Sequence, residues 1–240
     1  MTNNIKAIIN TSFLDWHGYI CTVLFLGGCN FRCPYCHNKD LVMWPQKIKN
    51  IPFDEVQRII MKNPGWIDGV VITGGEPTLD AQLIPLITKI REMDLLVKLD
   101  TNGSNPDILE GIIKKKLVTY IAMDLKAPLE HNAYSRCIGI TPPPLSKIKQ
   151  SVQLLLQNNV DYEFRVTICP TLLDKQDILS MARTIKGARR FTLQNFRAHN
   201  TLDPAFENLT SYSKTELENF KRLIMPYVQE CSVISPNTPQ

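Results

Sequence analysis

Apolar residues follow two alternating rhythms along this chain: short β-branched runs and longer stretches with helical spacing. Ile20 to Leu26 is a continuous apolar run ending at Gly27 and Gly28, which predicts a strand leading into a loop. Gly69 to Thr73, Leu95 to Leu99, Val118 to Met123, Glu163 to Ile168 and Arg190 to Phe196 repeat the strand signature, so six strands are predicted. Helical patterns lie between them. Pro52 opens one over Phe53 to Met61, Leu83, Ile84, Leu86, Ile87 and Ile90 form the apolar face of the next, and Ile108 to Leu117 gives a third. Ile148, Val152, Leu155 and Leu156 mark a helix after the stiff Pro142, Pro143, Pro144 connector. Ile178 to Ile185 and Leu217 to Tyr227 complete the set.

Repeated strand-then-helix units imply an α/β fold with a parallel sheet, because parallel strands need crossover connections. The pattern does not separate an open sheet from a curled, incomplete barrel. In both, the working edge is formed by the C-terminal ends of the strands. Arg197 to Tyr212 is polar and irregular and reads as a long loop near that edge, while Pro236 to Gln240 is expected to fray.

Composition narrows the class only slightly. Apolar residues make up 44% of 240 and charged residues 21%, with a formal charge of +4. No dense Lys/Arg stripe appears, so nucleic acid is not an expected partner. The basic run Lys114, Lys115, Lys116 ends a predicted helix, where cations offset the helix dipole. There is no apolar targeting segment and no stretch of membrane-spanning length, so a cytoplasmic protein is expected and a membrane is not. Seven cysteines form no even framework, which fits a reducing compartment.

Three of those cysteines carry the chemistry. Cys29, Cys33 and Cys36 form the pattern C-x3-C-x2-C. Thiolates are soft ligands for iron–sulfur clusters or zinc, and no fourth cysteine lies nearby. One metal corner is therefore left open. Other unusual residues fall at successive strand ends. Gly74, Gly75, Glu76 and Pro77 follow the second strand; glycines allow close backbone approach to a ligand and the carboxylate can pair with an ammonium group. Asp100, Thr101, Asn102 and Gly103 follow the third, where an ordinary Asn-Gly turn is the competing reading. Asp124, Leu125 and Lys126 follow the fourth, and Arg165 interrupts the fifth between Phe164 and Val166. Buried charges of this kind are costly unless paired or ligand-bound. Together they suggest a small, zwitterionic, partly ribose-like ligand.

These residues resemble the radical S-adenosylmethionine superfamily, whose hallmark is the same cysteine triplet with an aromatic residue, here Tyr35, before the last cysteine. Gly74 to Pro77 is similar to its glycine-rich motif. Asp100 to Gly103, Asp124 to Lys126, the run from Gly28 to Asn38 and the opening Ser12 to Gly18 resemble the glycyl-radical enzyme activating enzymes. Within that subgroup the chain looks most like the short activators of anaerobic ribonucleoside-triphosphate reductase and pyruvate formate-lyase. The resemblance covers roughly Ala7 to Phe196.

It implies one domain over 1–240, a partial (β/α)6 TIM-type barrel with its core at about 19–196 and a C-terminal loop and helix over 197–240. It also implies an oxidoreductase in which Cys29, Cys33 and Cys36 ligate a [4Fe–4S] cluster whose fourth iron chelates S-adenosylmethionine. Reductive cleavage gives a 5′-deoxyadenosyl radical that abstracts hydrogen from a glycine of a partner glycyl-radical enzyme. A flavodoxin or ferredoxin is the implied electron donor.

By the same resemblance Glu76, with Gly74 and Gly75, holds the methionine amino group. Asn102 and Tyr35 lie near the adenosyl part, and Lys126 and Arg165 flank the carboxylate and ribose. Asp100, Thr101 and Asp124 have an alternative use as a monovalent-cation site, and Asp15 is the residue expected to touch the incoming glycine loop. His17 and His37 are expected to be structural, and Cys137 and Cys169 to be buried thiols. Rival readings are a radical enzyme acting on a small molecule, as in 7-carboxy-7-deazaguanine synthase, or on RNA, and a structural zinc site completed by His37. Colour separates the last of these. Anaerobically purified protein should be brown and hold about four irons; colourless protein containing zinc would leave only the structural reading.

Overall fold

The computed structural model describes residues 4–235. Its sheet opens with β1 (Ile5–Ser12), antiparallel to β2 (Cys21–Leu26). Six strands follow, each parallel to the one before: β3 (Gly69–Gly74), β4 (Leu96–Thr101), β5 (Tyr120–Asp124), β6 (Asp161–Ile168), β7 (Arg190–Asn195) and β8 (Glu230–Ile234). Strand order equals chain order. Without a reversal, right-handed crossovers all fall on the same side, so helices cover one face and the other curls into a concave wall. The alternatives left by the sequence pattern are thereby decided in favour of an incomplete TIM-like barrel, with β1 and β8 as its edges among the described residues.

The outer layer consists of α1 (Lys39–Met43), α2 (Phe53–Ile60), α3 (Leu83–Arg91), α4 (Pro106–Lys114), α5 (His131–Ile138), α6 (Leu145–Leu156), α7 (Lys175–Thr184) and α8 (Lys214–Ile224). Local chemistry fixes several ends. Pro52 caps α2, with Asp54 and Glu55 in the first turn facing the positive pole of the helix. Reciprocal capping boxes start α7, through Asp174 and Asp177, and α8, through Ser213 and Glu216. The predicted last helix stops at Ile224, before Pro226, which cannot continue the ladder.

Strand alternation creates two separate cores. Side chains such as Leu24, Ile72, Leu99, Ile121, Phe164 and Leu193 point outward into the large core beneath the helices. Cys21, Val23, Val71, Tyr120 and Ala122 point inward and pack with Trp16. That indole closes the concave side where β3 begins: a Cβ on Gly69 would lie 2.8 Å from its ring. Further elements were absent from the sequence reading. β1 and β8 are edge strands with mixed patterns, and α1 and α5 are short helices without a long apolar stripe. Residues 236–240, where fraying is expected, lie outside the described residues.

Trp16 is only 4% exposed although it belongs to an irregular segment. Trp16→Ala should cost about 3 kcal/mol in urea unfolding. A loss below about 1 kcal/mol would remove this side chain from the core.

Candidate active site

The cysteine loop leaves β2 through Gly28, whose φ of +91° suits glycine. Backbone contacts lock it to the end of β3. The Gly75 N–H donates to Leu26 O at 2.9 Å and the Glu76 N–H to Gly28 O at 2.8 Å. A Cβ on Gly75 would sit 1.9 Å from Gly28 O, so the two backbones touch only because glycine stands there. Arg32 wraps the loop, its guanidinium donating to Cys29 O at 2.7 Å and Phe31 O at 2.8 Å. The Cys36 N–H closes a turn onto Cys33 O at 3.0 Å.

Cys29 and Cys36 are half-buried and Cys33 is buried. Burial pushes the Cys29 thiol up to about 11 and the Cys33 thiol up to about 12, and raises Cys36 as well. The Lys126 ammonium acts on all three in the opposite direction, favouring thiolates. This donor set fits an iron–sulfur cluster: one loop, three soft ligands and a neighbouring cation. His37, which a closed zinc site would need, is exposed, and its Nε2 lies 3.0 Å from Arg197 O. Among the described residues no three His, Cys, Asp or Glu side chains converge as they would around a single ion.

Glu76 lies at the neighbouring strand end, 2% exposed. Its Oε1 accepts from Thr78 N at 3.1 Å, Thr78 Oγ1 at 2.5 Å and Thr101 Oγ1 at 2.7 Å, and its Oε2 accepts from Asn102 N at 2.6 Å. Burial raises its pKa against these hydrogen bonds. The carboxylate joins the ends of β3 and β4, and Oε2, which takes a single hydrogen bond, keeps an acceptor position for the expected amino group. Asn102 turns toward the cysteine loop, with Nδ2 3.0 Å from Asn30 Oδ1 and 4.0 Å from Cys29 Sγ. Tyr35 is turned into the core, and its buried hydroxyl has no protein partner.

The charged residues form one network. Arg165 donates from Nε to Asp124 Oδ1 at 2.9 Å and from Nη1 to Asp100 Oδ2 at 3.1 Å, and Lys126 Nζ meets Asp124 Oδ2 at 3.0 Å. Burial would raise the Asp124 carboxyl, but Arg165 and then Lys126 outweigh it and hold the group at about 2. Burial likewise opposes charge on Lys126, and the Asp124 carboxylate keeps it positive. The three side chains considered for a monovalent cation are engaged elsewhere: Thr101 with Glu76, and both carboxylates with Arg165.

Asp15 is not with the rest. It follows β1 at the N-terminal ends of the parallel strands, across the barrel from the cysteines, and accepts from Ser12 Oγ at 2.5 Å. Its expected contact with an incoming loop is thus not a contact at the cysteine mouth. Residues missed by the sequence reading also belong here. Asn30 and Asn38 brace the loop, through Ser104 Oγ at 2.9 Å and Gly74 O at 2.9 Å. Lys98 and Glu163 lie on the same concave face as Asp100 and Arg165. Their signal was available, since each is a charge inside a strand pattern, as Arg165 is. Cys137 and Cys169 are fully buried.

Residues 23–190 match the Radical SAM superfamily model, well over half the chain, and the protein belongs to that superfamily. A protein of Methanocaldococcus jannaschii, named as a candidate glycyl-radical enzyme activating enzyme, is 29% identical over 237 residues, covering 97% of this chain and 96% of that one. The pyruvate formate-lyase-activating enzyme of Clostridium pasteurianum is 27% identical over 221 residues, covering 89% and 87%. Those names carry the subgroup to which the motifs pointed. Among solved structures, Streptococcus suis SuiB bound to its precursor peptide superposes with a TM-score of 0.67 at 15% identity over 88% of this chain, a likeness of fold alone. This chain spans about half of SuiB, 48% of its length.

The low carboxyl of Asp124 sets a pH dependence. Its stabilisation is complete above the ordinary carboxylate range, about pH 4, and is lost as pH falls through about 2. Asp124→Asn should cost the cluster-free protein about 2 kcal/mol at neutral pH, modest for a buried pair because the carboxylate is partly exposed. The difference from wild type should shrink below about pH 4; a difference constant down to pH ~2 would contradict the pairing.

Proposed function

We propose that this protein is an activating enzyme that installs a glycyl radical in a partner enzyme. The observation that carries the reading is a loop presenting three thiols, tied to a glycine-lined strand end, with a half-buried Lys126 beside it. Cys29, Cys33 and Cys36 would hold three irons of a [4Fe–4S] cluster, leaving the fourth for the amino and carboxylate groups of S-adenosylmethionine. When bound, cluster and cofactor supply reductive cleavage. With one electron from a flavodoxin- or ferredoxin-type donor, that pair would supply the radical chemistry that removes a hydrogen atom from a glycine of the partner, S-adenosylmethionine being converted to methionine and 5′-deoxyadenosine.

The chain's own contribution is orientation and charge. Lys126, beside the cysteine loop, and Arg165, which shares Asp124 with it, would present positive charge to the carboxylate of the cofactor. Glu76 acts at one remove, holding the Gly74–Gly75 backbone and Asn102 in place. Relatives named as activating enzymes support the substrate class, with a partner of the anaerobic ribonucleotide reductase or pyruvate formate-lyase type.

Electron paramagnetic resonance tests the reading. Reduced, cluster-loaded protein incubated anaerobically with S-adenosylmethionine and candidate glycyl-radical enzymes should give a glycyl doublet on one of them. Cys33→Ala should abolish both that signal and cofactor cleavage. Cleavage by the wild type with no protein radical on any candidate would favour the small-molecule reading, and cleavage by Cys33→Ala would overturn the site.

A further inference from the structure

The concave wall carries a charge that the cofactor-facing roles leave unused. Lys98 is 4% exposed, deep in the barrel. Its ammonium donates to Asp15 O at 2.6 Å and lies over the Tyr120 ring, 5.6 Å from the centroid. It stands 3.7 Å from Asp100 Oδ1 and 3.7 Å from Glu163 Oε1. Asp100 Oδ1 is buried and accepts no hydrogen bond, so the charge of Lys98 is what compensates it. Ala122 separates Asp100 from Glu163 in the sheet register, and its small side chain leaves room for the lysine tip between them. The other oxygen of Glu163 accepts from Thr192 Oγ1 at 2.7 Å.

Arg165 lies two residues beyond Glu163 on the same face of β6. Three carboxylates surround it, of Asp100, Asp124 and Glu163, and its charge is felt from all three. Yet it bonds only Asp100, level with Glu163 in the sheet, and Asp124, at the end of β5 nearer the cysteine mouth. Glu163 and the inner oxygen of Asp100 are claimed by Lys98 instead. With Lys126 added, three cations balance three carboxylates in this wall. Remove the lysine charge and the two acids it served have Arg165 as their available cation. A guanidinium drawn toward Glu163 moves away from the mouth.

We propose that Lys98 is a positioning residue: by occupying Glu163 and the inner oxygen of Asp100, it keeps Arg165 on Asp100 and Asp124, facing the cysteine loop. The inference rests on the reading that this rim receives the amino-acid half of S-adenosylmethionine. Its competitor-based logic makes a specific demand. Deleting the lysine charge should misplace Arg165, and deleting the competing acid as well should put it back, although no positive charge is restored.

The test uses Lys98→Met and the double variant Lys98→Met/Glu163→Gln, in two measurements. In crystals of cluster-free protein, Arg165 should pair with Glu163 in the single variant and return to Asp100 and Asp124 in the double. In cluster-loaded protein with unchanged iron content, the single variant should bind S-adenosylmethionine about tenfold more weakly, and the double variant within about twofold of wild type. An unmoved Arg165 or unchanged affinity in the single variant would overturn the proposal. So would a double variant that binds as weakly as the single. If Lys98→Met fails to fold, Lys98→Gln takes its place in the same two measurements with the same outcomes, and a double variant that binds tenfold more weakly than wild type ends the proposal in any case. Wild-type protein that did not bind S-adenosylmethionine would instead count against the cofactor assignment, while the crystallographic comparison would still judge the position of Arg165.

Discussion

A buried carboxylate holds the working edge of this barrel together. Glu76 takes four hydrogen bonds from three residues, and those residues belong to two different strand ends. Desolvating a carboxylate is expensive, and only a full set of donors offsets it. The arrangement therefore tolerates little slack: if the turn after β3 shifted, donors from Thr101 and Asn102 would be lost together. Because Gly75 also touches the Gly28 backbone, the same brace fixes where the cysteine loop leaves β2. Three consecutive strand ends are thus held to one geometry by a single side chain.

Much of this was legible in the residues, and the failures have physical causes. Parallel strands are buried on both faces, so Gly69 to Thr73 or Val118 to Met123 announce themselves as apolar runs. The edges do not. β1 alternates irregularly and owes its conformation to pairing with β2, which no local pattern encodes. Curl was equally hidden, because it follows from strand order and not from any one segment. At the site, the cysteine triplet and its flanking motifs were plain. The bracing role of Glu76 was hidden, since a carboxylate beside two glycines looks the same whether it faces a ligand or turns inward. Arg165 stood out between Phe164 and Val166, while Lys98, between Val97 and Leu99, was the same signal unheeded.

The concave wall also differs in character along its course. Its first strands contribute Cys21, Val23 and Val71, closed off by Trp16, whereas β4 to β6 contribute acids and bases in alternation. Neutral pairing keeps such a wall affordable in low dielectric, and it gives the molecule a polar surface whose charges are directed without being free.

Residues far apart in the chain meet over the cysteine loop. Asp203 donates its N–H to Pro34 O at 2.9 Å, and His37 is 160 positions from the Arg197 carbonyl it contacts. A ribosome must therefore have synthesised most of the polypeptide before this clasp can form. The clasped form of the cysteine loop is, for that reason, a product of the nearly complete chain.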